Sequence, residues 1–195
     1  IFSDSCTDLT PELAKEADVS IIGMNFTMKG KSYEHFPDGR EMSPQDFYEL
    51  VRGGEMPTTA QINTAKFLEI FEPVLQQGKD LLYIAFSSGL SGTYHASCIA
   101  VEELRSKYPE RKIITVDSLA ASMGEGLLVY LAARKRLEGI GIEELAQWVT
   151  ENRNHLCHWF TVDDLNHLKR GGRVSSAAAL FGTMLGIKPV LHVDD

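Results

Sequence analysis

The sequence predicts an α/β protein, with an N-terminal lobe built on a mainly parallel sheet and a second α/β lobe after it. Short apolar segments alternate with helix-like segments through roughly the first three quarters of the chain, which favours a parallel sheet covered by helices on both faces. The order changes after Asn154, and the chain reaches its last residue on a strand-like segment with no covering helix behind it. We therefore expect one lobe over residues 1–154 and an incomplete, truncated second lobe over residues 155–195.

The predicted strands of the first lobe are short apolar runs bounded by polar residues or glycine. An apolar pair opens the chain, and later runs are rich in Ile, Leu or Val, as buried strands are. These runs are "VSIIGMNF", "DLLYIAF" and "KIITVD".

The predicted helices fall between these strands. Ser43 and Pro44 form an N-cap and first-turn pair for "SPQDFYELVRGG", which Gly53 and Gly54 end. Further helices are predicted at "TAKFLEIFEPVLQQG", "SGTYHASCIAVEELRSKY", "GEGLLVYLAARKRLEG" and "GIEELAQWVTENRN".

The second lobe is predicted to open with the strand "HLCHWFTV". A short helix "DDLNHLKRGG", a helix of small residues "SSAAALFGTML" and a strand "IKPVLHV" follow it. The paired glycines of "KRGGR" predict that the short helix ends in a tight, exposed turn.

Charge and cysteine content narrow the class of protein. A net charge of −8 over 195 residues disfavours nucleic acid or an anionic membrane as the main partner, because either needs a basic face. Cys6, Cys98 and Cys157 are too widely spaced for a disulfide framework or a structural zinc site. With no signal peptide and no membrane-length apolar run, the chain is predicted to be cytoplasmic.

Four loops of small polar residues mark a candidate anion site. They are "FSDSCTDL", "MPTTAQIN", "AFSSGLSGT" and "VDSLAASMGEG". Ligands gather at the carboxyl ends of parallel strands, where hydroxyls and unpaired N–H groups at helix starts suit a carboxylate or a phosphate. Helix capping alone is the alternative, since Asp4, Ser5, Asp117 and Ser118 are all good N-caps. The common nucleotide motifs G-x-x-x-x-G-K-[ST] and G-x-G-x-x-G do not occur.

A serine hydrolase is the competing interpretation of the "SSGLSG" loop. Ser87, Ser88 and Ser91 precede His95 closely, but the loop lacks the G-x-S-x-G pattern that a strained nucleophile elbow needs. His95 itself has the character of a partly exposed helix residue. The sequence therefore predicts no complete catalytic apparatus.

The second lobe carries two further kinds of candidate group. His158 and His167 could act as ligands or bases, but no H-x-x-x-H or H-E-x-x-H spacing supports a metal, and none is expected. Lys169, Arg170 and Arg173 form a basic cluster that either complements a helix dipole or contacts a phosphate or an acidic partner.

Taken in order, these motifs resemble those of the DegV family, the bacterial fatty-acid-binding proteins. The matching segments are "SDSCTDL", "PTTAQIN" in place of the usual T-S-Q-P, "SSGLSGTYHAS", "DSLAASMGEG", "TVDDLNHLKRGGRVS" and "GIKPVL". The resemblance covers essentially the whole chain. It implies two α/β lobes and one long-chain fatty acid in a buried tunnel, with no other cofactor.

The resemblance also implies which residues hold the ligand. The carboxylate would be bound by Thr58 and Thr59 of the first loop and by Ser87, Ser88 and Ser91 of the second. Candidates for the acyl tunnel, for which plain core is the alternative, are Phe26, Ile62, Phe86, Met123, Leu127 and Phe181. The chain departs from the family pattern at Ala60, where Ser is common, at Ile62, where Pro is common, and in lacking a far C-terminal head-group histidine.

The family further implies a partner. The bound fatty acid would be presented to a separate fatty acid kinase, and the protein would then carry the acyl phosphate for lipid synthesis, with transient membrane contact. Lys169, Arg170 and Arg173 match the family's basic turn, and Arg173 suits contact with the kinase or the phosphate best. A lipid sensor without a kinase and a binder of another small carboxylate remain alternatives.

Overall fold

A computed structural model describes residues 1–162, 165–174 and 190–192. The chain divides into two compact units, Ile1–Leu156 and Cys157–Asp195. The helix predicted at "SSAAALFGTML" and the tunnel candidate Phe181 lie outside the described residues.

The described strands and helices follow the predicted alternation, with additions. The strands are β1 (Phe2–Asp4), β2 (Ser20–Ile22), β3 (Met24–Met28), β4 (Lys31–His35), β5 (Thr58–Ala60), β6 (Leu81–Ala85), β7 (Ile113–Asp117), β8 (Trp159–Phe160) and β9 (Leu191–His192). The α-helices are α1 (Pro11–Glu16), α2 (Pro44–Arg52), α3 (Thr64–Gln76), α4 (Thr93–Lys107), α5 (Ser122–Leu137), α6 (Ile142–Asn152) and α7 (Leu165–Arg170). Short 3-10 turns occupy Ser5–Thr7 and Arg153–His155.

The parallel sheet predicted for the first unit is confirmed. Its strands lie in the order β2-β1-β6-β7, and each neighbouring pair is parallel. Strand β6 is buried along its whole length, as expected for a central strand of a sheet covered on both faces. The carboxyl ends of β1, β6 and β7 therefore meet at one edge of the sheet.

Two hydrophobic clusters cover the two faces of this sheet. Leu82 and Ile84 of β6 pack with residues of α5 and α6 on one face. Tyr83 packs on the other face against Phe67 and Phe71 of α3, with ring centroids 5.1 and 5.8 Å away. Burying each of these aromatic side chains contributes roughly 1.5–3 kcal/mol, which holds the strand ends in a fixed relation.

A small antiparallel sheet, in the order β4-β3-β5, corrects two predictions. The segment "VSIIGMNF" is not one strand, because Gly23 separates β2 in the parallel sheet from β3 in the antiparallel one. A side chain at Gly23 would meet the Glu34 side chain, with Cγ at 2.5 Å, so Glu34 packs over this position. The segment "MPTTAQIN" is not entirely a loop, because Thr58–Ala60 pairs with β3.

The second unit contains the described strands β8 and β9, which pair antiparallel, and the helix α7. The predicted turn after α7 is confirmed. Gly172 has a φ of +77°, its N–H donates to the carbonyl of Lys169 (2.9 Å), and the N–H of Arg173 donates to that of Leu168 (3.0 Å). This is a Schellman motif, and glycine adopts the left-handed conformation that the motif requires without strain. Over the described parts of both units, no helix has the length and apolarity to cross a membrane.

Candidate functional site

The carboxyl edge of the parallel sheet brings three of the four predicted polar loops together. Strand β1 leads into Ser5–Thr7, β6 leads into the SSGLSG loop (residues 87–92), and β7 leads into the turn before α5. Two buried aspartates end the outer strands of this trio, Asp4 on β1 and Asp117 on β7. Both carboxylates bind backbone N–H groups at the start of the SSGLSG loop.

Asp4 fixes the loop from the side of β1. Its carboxylate accepts hydrogen bonds from the N–H of Phe86 (3.0 Å), the hydroxyl of Tyr83 (2.8 Å) and the N–H of Cys6 (3.0 Å). Burial raises the pKa of the Asp4 carboxyl, and the hydrogen bonds from Phe86, Tyr83 and Cys6 oppose that rise. The carboxylate thus joins the ends of β1 and β6 in one network.

Asp117 fixes the loop from the side of β7. Its Oδ1 accepts from the N–H of Ser88 (3.2 Å) and from that of Leu119 (3.1 Å). Leu119 has a φ of +51°, a left-handed conformation that is strained for any residue with a side chain. The hydrogen bond that its N–H donates to Asp117 stabilises this conformation. The guanidinium of Arg153 donates to the Asp117 carbonyl at 2.8 Å, which ties the end of the first unit to the same strand end.

The hydroxyls of the SSGLSG loop differ in what they contact. Ser87 is buried, and its Oγ accepts from the N–H of Gly89 at 3.3 Å. Ser88 and Ser91 are half-buried. Ser91 Oγ lies 2.9 Å from Thr93 Oγ1 in a hydroxyl–hydroxyl hydrogen bond. Ser88 and Ser91 are therefore better exposed to a ligand than Ser87.

The fourth polar loop joins this edge through Thr93. The N–H of Ile62 donates to Thr93 Oγ1 at 3.3 Å, so the residues after β5 lie against the first turn of α4. A Cβ on Gly92 would lie 2.1 Å from Gln61 Oε1, which means that the two loops pass in close contact. The structure thereby brings all four predicted loops to one region of the first unit.

Thr58 and Thr59 lie on opposite faces of the antiparallel sheet. The register pairs Thr59 with Phe26 and Thr58 with Thr27, and neighbouring residues on a strand point to opposite faces. Thr59 shares its face with Phe26, which stacks on Tyr33 with centroids 5.3 Å apart. One carboxylate group therefore contacts at most one of the two threonine hydroxyls from a single face.

The tunnel candidates separate into three groups. Ile62 is buried in the hydrophobic cluster with Phe67 and Phe71. This position agrees with the alternative that Ile62 is a core residue. Phe26 and Phe86 are half-buried. Met123 and Leu127, one helical turn apart on α5, are 54% and 46% exposed in this structure.

The two helices that follow β6 and β7 begin without side-chain caps. Gly92 precedes α4 and Ala121 precedes α5, and neither supplies a side-chain acceptor to the first turn. The N–H of Thr93 donates to Ser91 Oγ at 3.3 Å, and the other N–H groups in the first turns of the two helices lie at the carboxyl edge of the sheet, where they favour an anion.

The remaining candidate groups are histidines and basic residues, one histidine in the first unit and the others in the second. His95 is exposed on α4, with its ring 5.6 Å from that of Tyr94. His158 is in the second unit, where burial lowers the pKa of its ring. Lys169, Arg170 and Arg173 are exposed around the α7 turn. Within the described residues, no group of three or more His, Cys, Asp or Glu side chains could hold a metal.

Sequence reasoning missed the residues that shape this edge. Asp4 and Asp117 were identified as capping residues only, because an N-cap and a loop clamp have the same sequence signature. Tyr83 and Thr93 gave no signal at all, since their roles depend on contacts across strands. Glu125 is fully buried in α5, but an acid in the first turn of a helix is common on exposed helices too, so its sequence position carries no signal of burial.

The fold and this edge define a class of protein, a parallel α/β domain with a candidate anion site at its strand carboxyl ends. Within that class, the chain belongs to the DegV family. The family model, described as "Uncharacterised protein, DegV family", matches residues 1–195. A DegV domain-containing protein of Clostridium perfringens is 49% identical over 195 residues, which are 100% of this chain and 67% of that protein.

Solved structures agree with the family assignment. One described as fatty acid binding of a DegV family protein from Thermus thermophilus is 29% identical with a TM-score of 0.83, covering 99% of this chain and 66% of that one. DegV from Bacillus subtilis, described as a fatty acid binding protein, is 27% identical with a TM-score of 0.81, covering 100% and 67%. The chain thus spans about two thirds of the length of these relatives.

Proposed function

We propose that this protein binds a long-chain fatty acid, presents its carboxylate to a separate fatty acid kinase and then carries the acyl phosphate. The observation that carries the proposal is the meeting of the SSGLSG loop, the residues after β5 and the starts of α4 and α5 at one edge of the sheet. The relatives from Thermus thermophilus and Bacillus subtilis, both described as fatty acid binding, support the choice of ligand.

Neutral donors suit the head group of such a ligand. A carboxylate carries one negative charge, which hydroxyls and backbone N–H groups can satisfy without a lysine. Ser88 and Ser91 are the half-buried hydroxyls of the SSGLSG loop, and Thr59 is the hydroxyl on the Phe26 face of β5. We assign the carboxylate to Thr59, Ser88 and Ser91 first, with Thr58 and Ser87 as the weaker candidates.

The acyl chain supplies most of the affinity in this proposal. Burial contributes about 0.8 kcal/mol per methylene, so a long chain gains on the order of 10 kcal/mol before ordering costs. Phe26 and Phe86 are half-buried, and Met123 and Leu127 present exposed apolar area that a chain could cover. The polar anchors would then set the position of the chain and supply the smaller share of the affinity.

The basic turn after α7 would contact the kinase or the phosphate. Lys169, Arg170 and Arg173 are exposed on a chain of net charge −8, and a Schellman turn holds Arg173 next to the helix end. An arginine binds phosphate or carboxylate oxygens with two parallel hydrogen bonds. In this proposal the protein is non-catalytic, acts in the cytoplasm and touches the membrane only transiently.

The test is a double substitution of the proposed anchors. Thr59→Ala with Ser88→Ala should weaken stearate binding, because each lost hydrogen bond to a charged group costs about 1.5–3 kcal/mol, or roughly tenfold or more in affinity. Thr58→Ala is the matched control, since it removes the same hydroxyl from the opposite face of β5. Isothermal titration with stearate measures the affinity of the wild-type protein, the double variant and Thr58→Ala, each as the full protein.

Two outcomes would contradict the proposal. Unchanged stearate affinity in a folded double variant would remove Thr59 and Ser88 from the site. Turnover of acyl esters by the wild-type protein, lost only in Ser87, Ser88 or Ser91 variants, would establish the hydrolase alternative instead.

A further inference from the structure

Glu125 is a carboxylic acid in the interior of the first unit. It lies in the first turns of α5 between Gly124 and Gly126, and its side chain has no exposed area. Gly126 lets the helix come close to the 3-10 turn after β1, because a Cβ there would lie 2.4 Å from the Thr7 carbonyl oxygen. Helix α5 therefore brings Glu125 to Ser3 of β1, the residue before Asp4.

Hydrogen counting at Ser3 favours a protonated Glu125. Ser3 Oγ lies 2.7 Å from the carbonyl oxygen of Ile84 and 3.1 Å from Glu125 Oε1. The Ile84 carbonyl can only accept, and a serine hydroxyl has one hydrogen to donate. Where the shorter contact uses that hydrogen, a protonated Glu125 completes the contact by donating to Ser3 Oγ, whereas an ionised Glu125 can only accept and competes with the Ile84 carbonyl for the single hydroxyl hydrogen.

The surroundings of Glu125 agree with a neutral acid. Among the described residues, its Oε2 has no hydrogen-bond partner, which is far less costly for a neutral carbonyl oxygen than for a buried charge. Burial, with the negative charge of Asp4 beside it, raises the pKa of Glu125 well above the usual value. The titratable groups that act on it from β1, the turn after it, β6 and β7 are Asp4, Cys6, Asp8, Tyr83 and Asp117.

A short path of two hydrogen bonds and one peptide link connects Glu125 to the proposed ligand site. Ser3, which receives its hydrogen bond, is followed directly by Asp4, whose carboxylate holds the N–H of Phe86 ahead of the SSGLSG loop. At the start of α5, Ser122 Oγ donates to Asp8 at 2.5 Å and fixes the other end of the same turn. Ionised Glu125 could no longer donate to Ser3 and would repel Asp4.

We infer that Glu125 is a positioning residue, a protonated acid whose hydrogen bond to Ser3 holds the Asp4 clamp in place, and that its ionisation loosens the SSGLSG loop and lowers ligand affinity. The effect on affinity rests on the proposed function, whereas the protonation and the loop coupling do not. The consequence is a ligand site that weakens as the pH rises.

The test compares wild type with Glu125→Gln in the full protein. A glutamine amide can donate to Ser3 without titrating, so Glu125→Gln keeps the contact at every pH. Glu102→Gln on the exposed surface of α4 is the matched control for loss of one glutamate. Amide NMR signals of Phe86 and Ser88, and stearate affinity, are followed from about pH 6 to about pH 9.

We expect the Phe86 and Ser88 signals to titrate in wild type and in Glu102→Gln, but not in Glu125→Gln. Stearate affinity should fall up to about tenfold per pH unit above the transition in wild type, relative to Glu125→Gln. Identical pH profiles in the three proteins would overturn the inference. So would a carbon-13 carboxyl signal showing Glu125 ionised at neutral pH, a measurement that stands even if Glu125→Gln does not fold.

The two proposals fail in different ways. A wild-type protein that binds no stearate contradicts the proposed function, while the loop signals still decide the role of Glu125. A protein that binds stearate with no Glu125-dependent pH effect contradicts only the positioning role.

Discussion

Replacing Asp117 with alanine should destabilise the first unit and the loop that it holds. The carboxylate is 6% exposed and accepts from two backbone N–H groups, those of Ser88 and Leu119. Each donor left without an acceptor costs about 1–3 kcal/mol, and Leu119 would lose the bond that supports its left-handed φ of +51°. Since both donors are half-buried and water can replace part of the loss, we expect Asp117→Ala to cost about 2–4 kcal/mol.

Two companion variants separate the hydrogen bonds from other effects of this change. Asp117→Asn keeps an acceptor oxygen at Oδ1, so it should cost about 1 kcal/mol or less. Asp80→Ala removes an aspartate that accepts from one exposed backbone N–H, that of Lys112, at the opposite end of the sheet. It should cost less than about 1 kcal/mol and leave ligand affinity unchanged.

Equilibrium urea unfolding measures these stabilities, and a stearate titration of each folded variant measures the effect on the site. The expected order of destabilisation is Asp117→Ala, then Asp117→Asn and Asp80→Ala together. Equal losses for Asp117→Ala and Asp117→Asn would refute the acceptor role, because those two variants differ in whether an acceptor remains. Equal losses for Asp117→Ala and Asp80→Ala would show that the burial of the Asp117 carboxylate does not raise the cost of losing its hydrogen bonds.

Three further predictions concern other parts of the molecule. Gly126→Ala should destabilise the first unit by roughly 1–3 kcal/mol more than Gly141→Ala in urea unfolding. The reason is that a Cβ at Gly126 would lie 2.4 Å from the backbone oxygen of Thr7, whereas Gly141 faces open space. Equal effects of the two substitutions would contradict the close packing of α5. Because the folded protein holds the Glu125 proton that the unfolded chain releases near the usual glutamate pKa, the free energy of unfolding should fall by about 1.4 kcal/mol per pH unit above that value, until the folded pKa is passed. A Glu125→Gln variant with the same slope would contradict this. Arg173→Ala should leave stearate affinity intact and slow kinase-dependent formation of the acyl phosphate in a coupled assay, with circular dichroism as the folding control. If the variant instead lost stearate binding while the bound ligand was phosphorylated normally, Arg173 would belong to the carboxylate site.

The parallel core was predictable because its signal is local. Strand β6 is buried along its whole length and β7 at three of its five positions, so both segments are rich in Ile, Leu or Val and stand out from the helices around them. The helix starts were also readable from Ser43 and Pro44, which the structure has as the N-cap and first residue of α2. The Gly171–Gly172 turn followed from the same kind of short-range rule.

The antiparallel sheet was not predictable in this way. Strand β5 is exposed along all three residues, and β4 carries polar residues at most positions, so neither has an apolar pattern. Their conformation comes from pairing with β3, which is a contact between distant segments. The same holds for the clamps at the site, because Asp4 reaches Phe86 only after β1 and β6 have paired.

The central claim is that this protein binds a fatty acid, and mass spectrometry of organic extracts from the purified full protein tests it most directly. A long-chain fatty acid should co-purify with the wild-type protein and be depleted in the Thr59→Ala, Ser88→Ala double variant but retained in Thr58→Ala. A folded wild-type protein that yields no fatty acid in the extract, and takes up none when stearate is added, would contradict it.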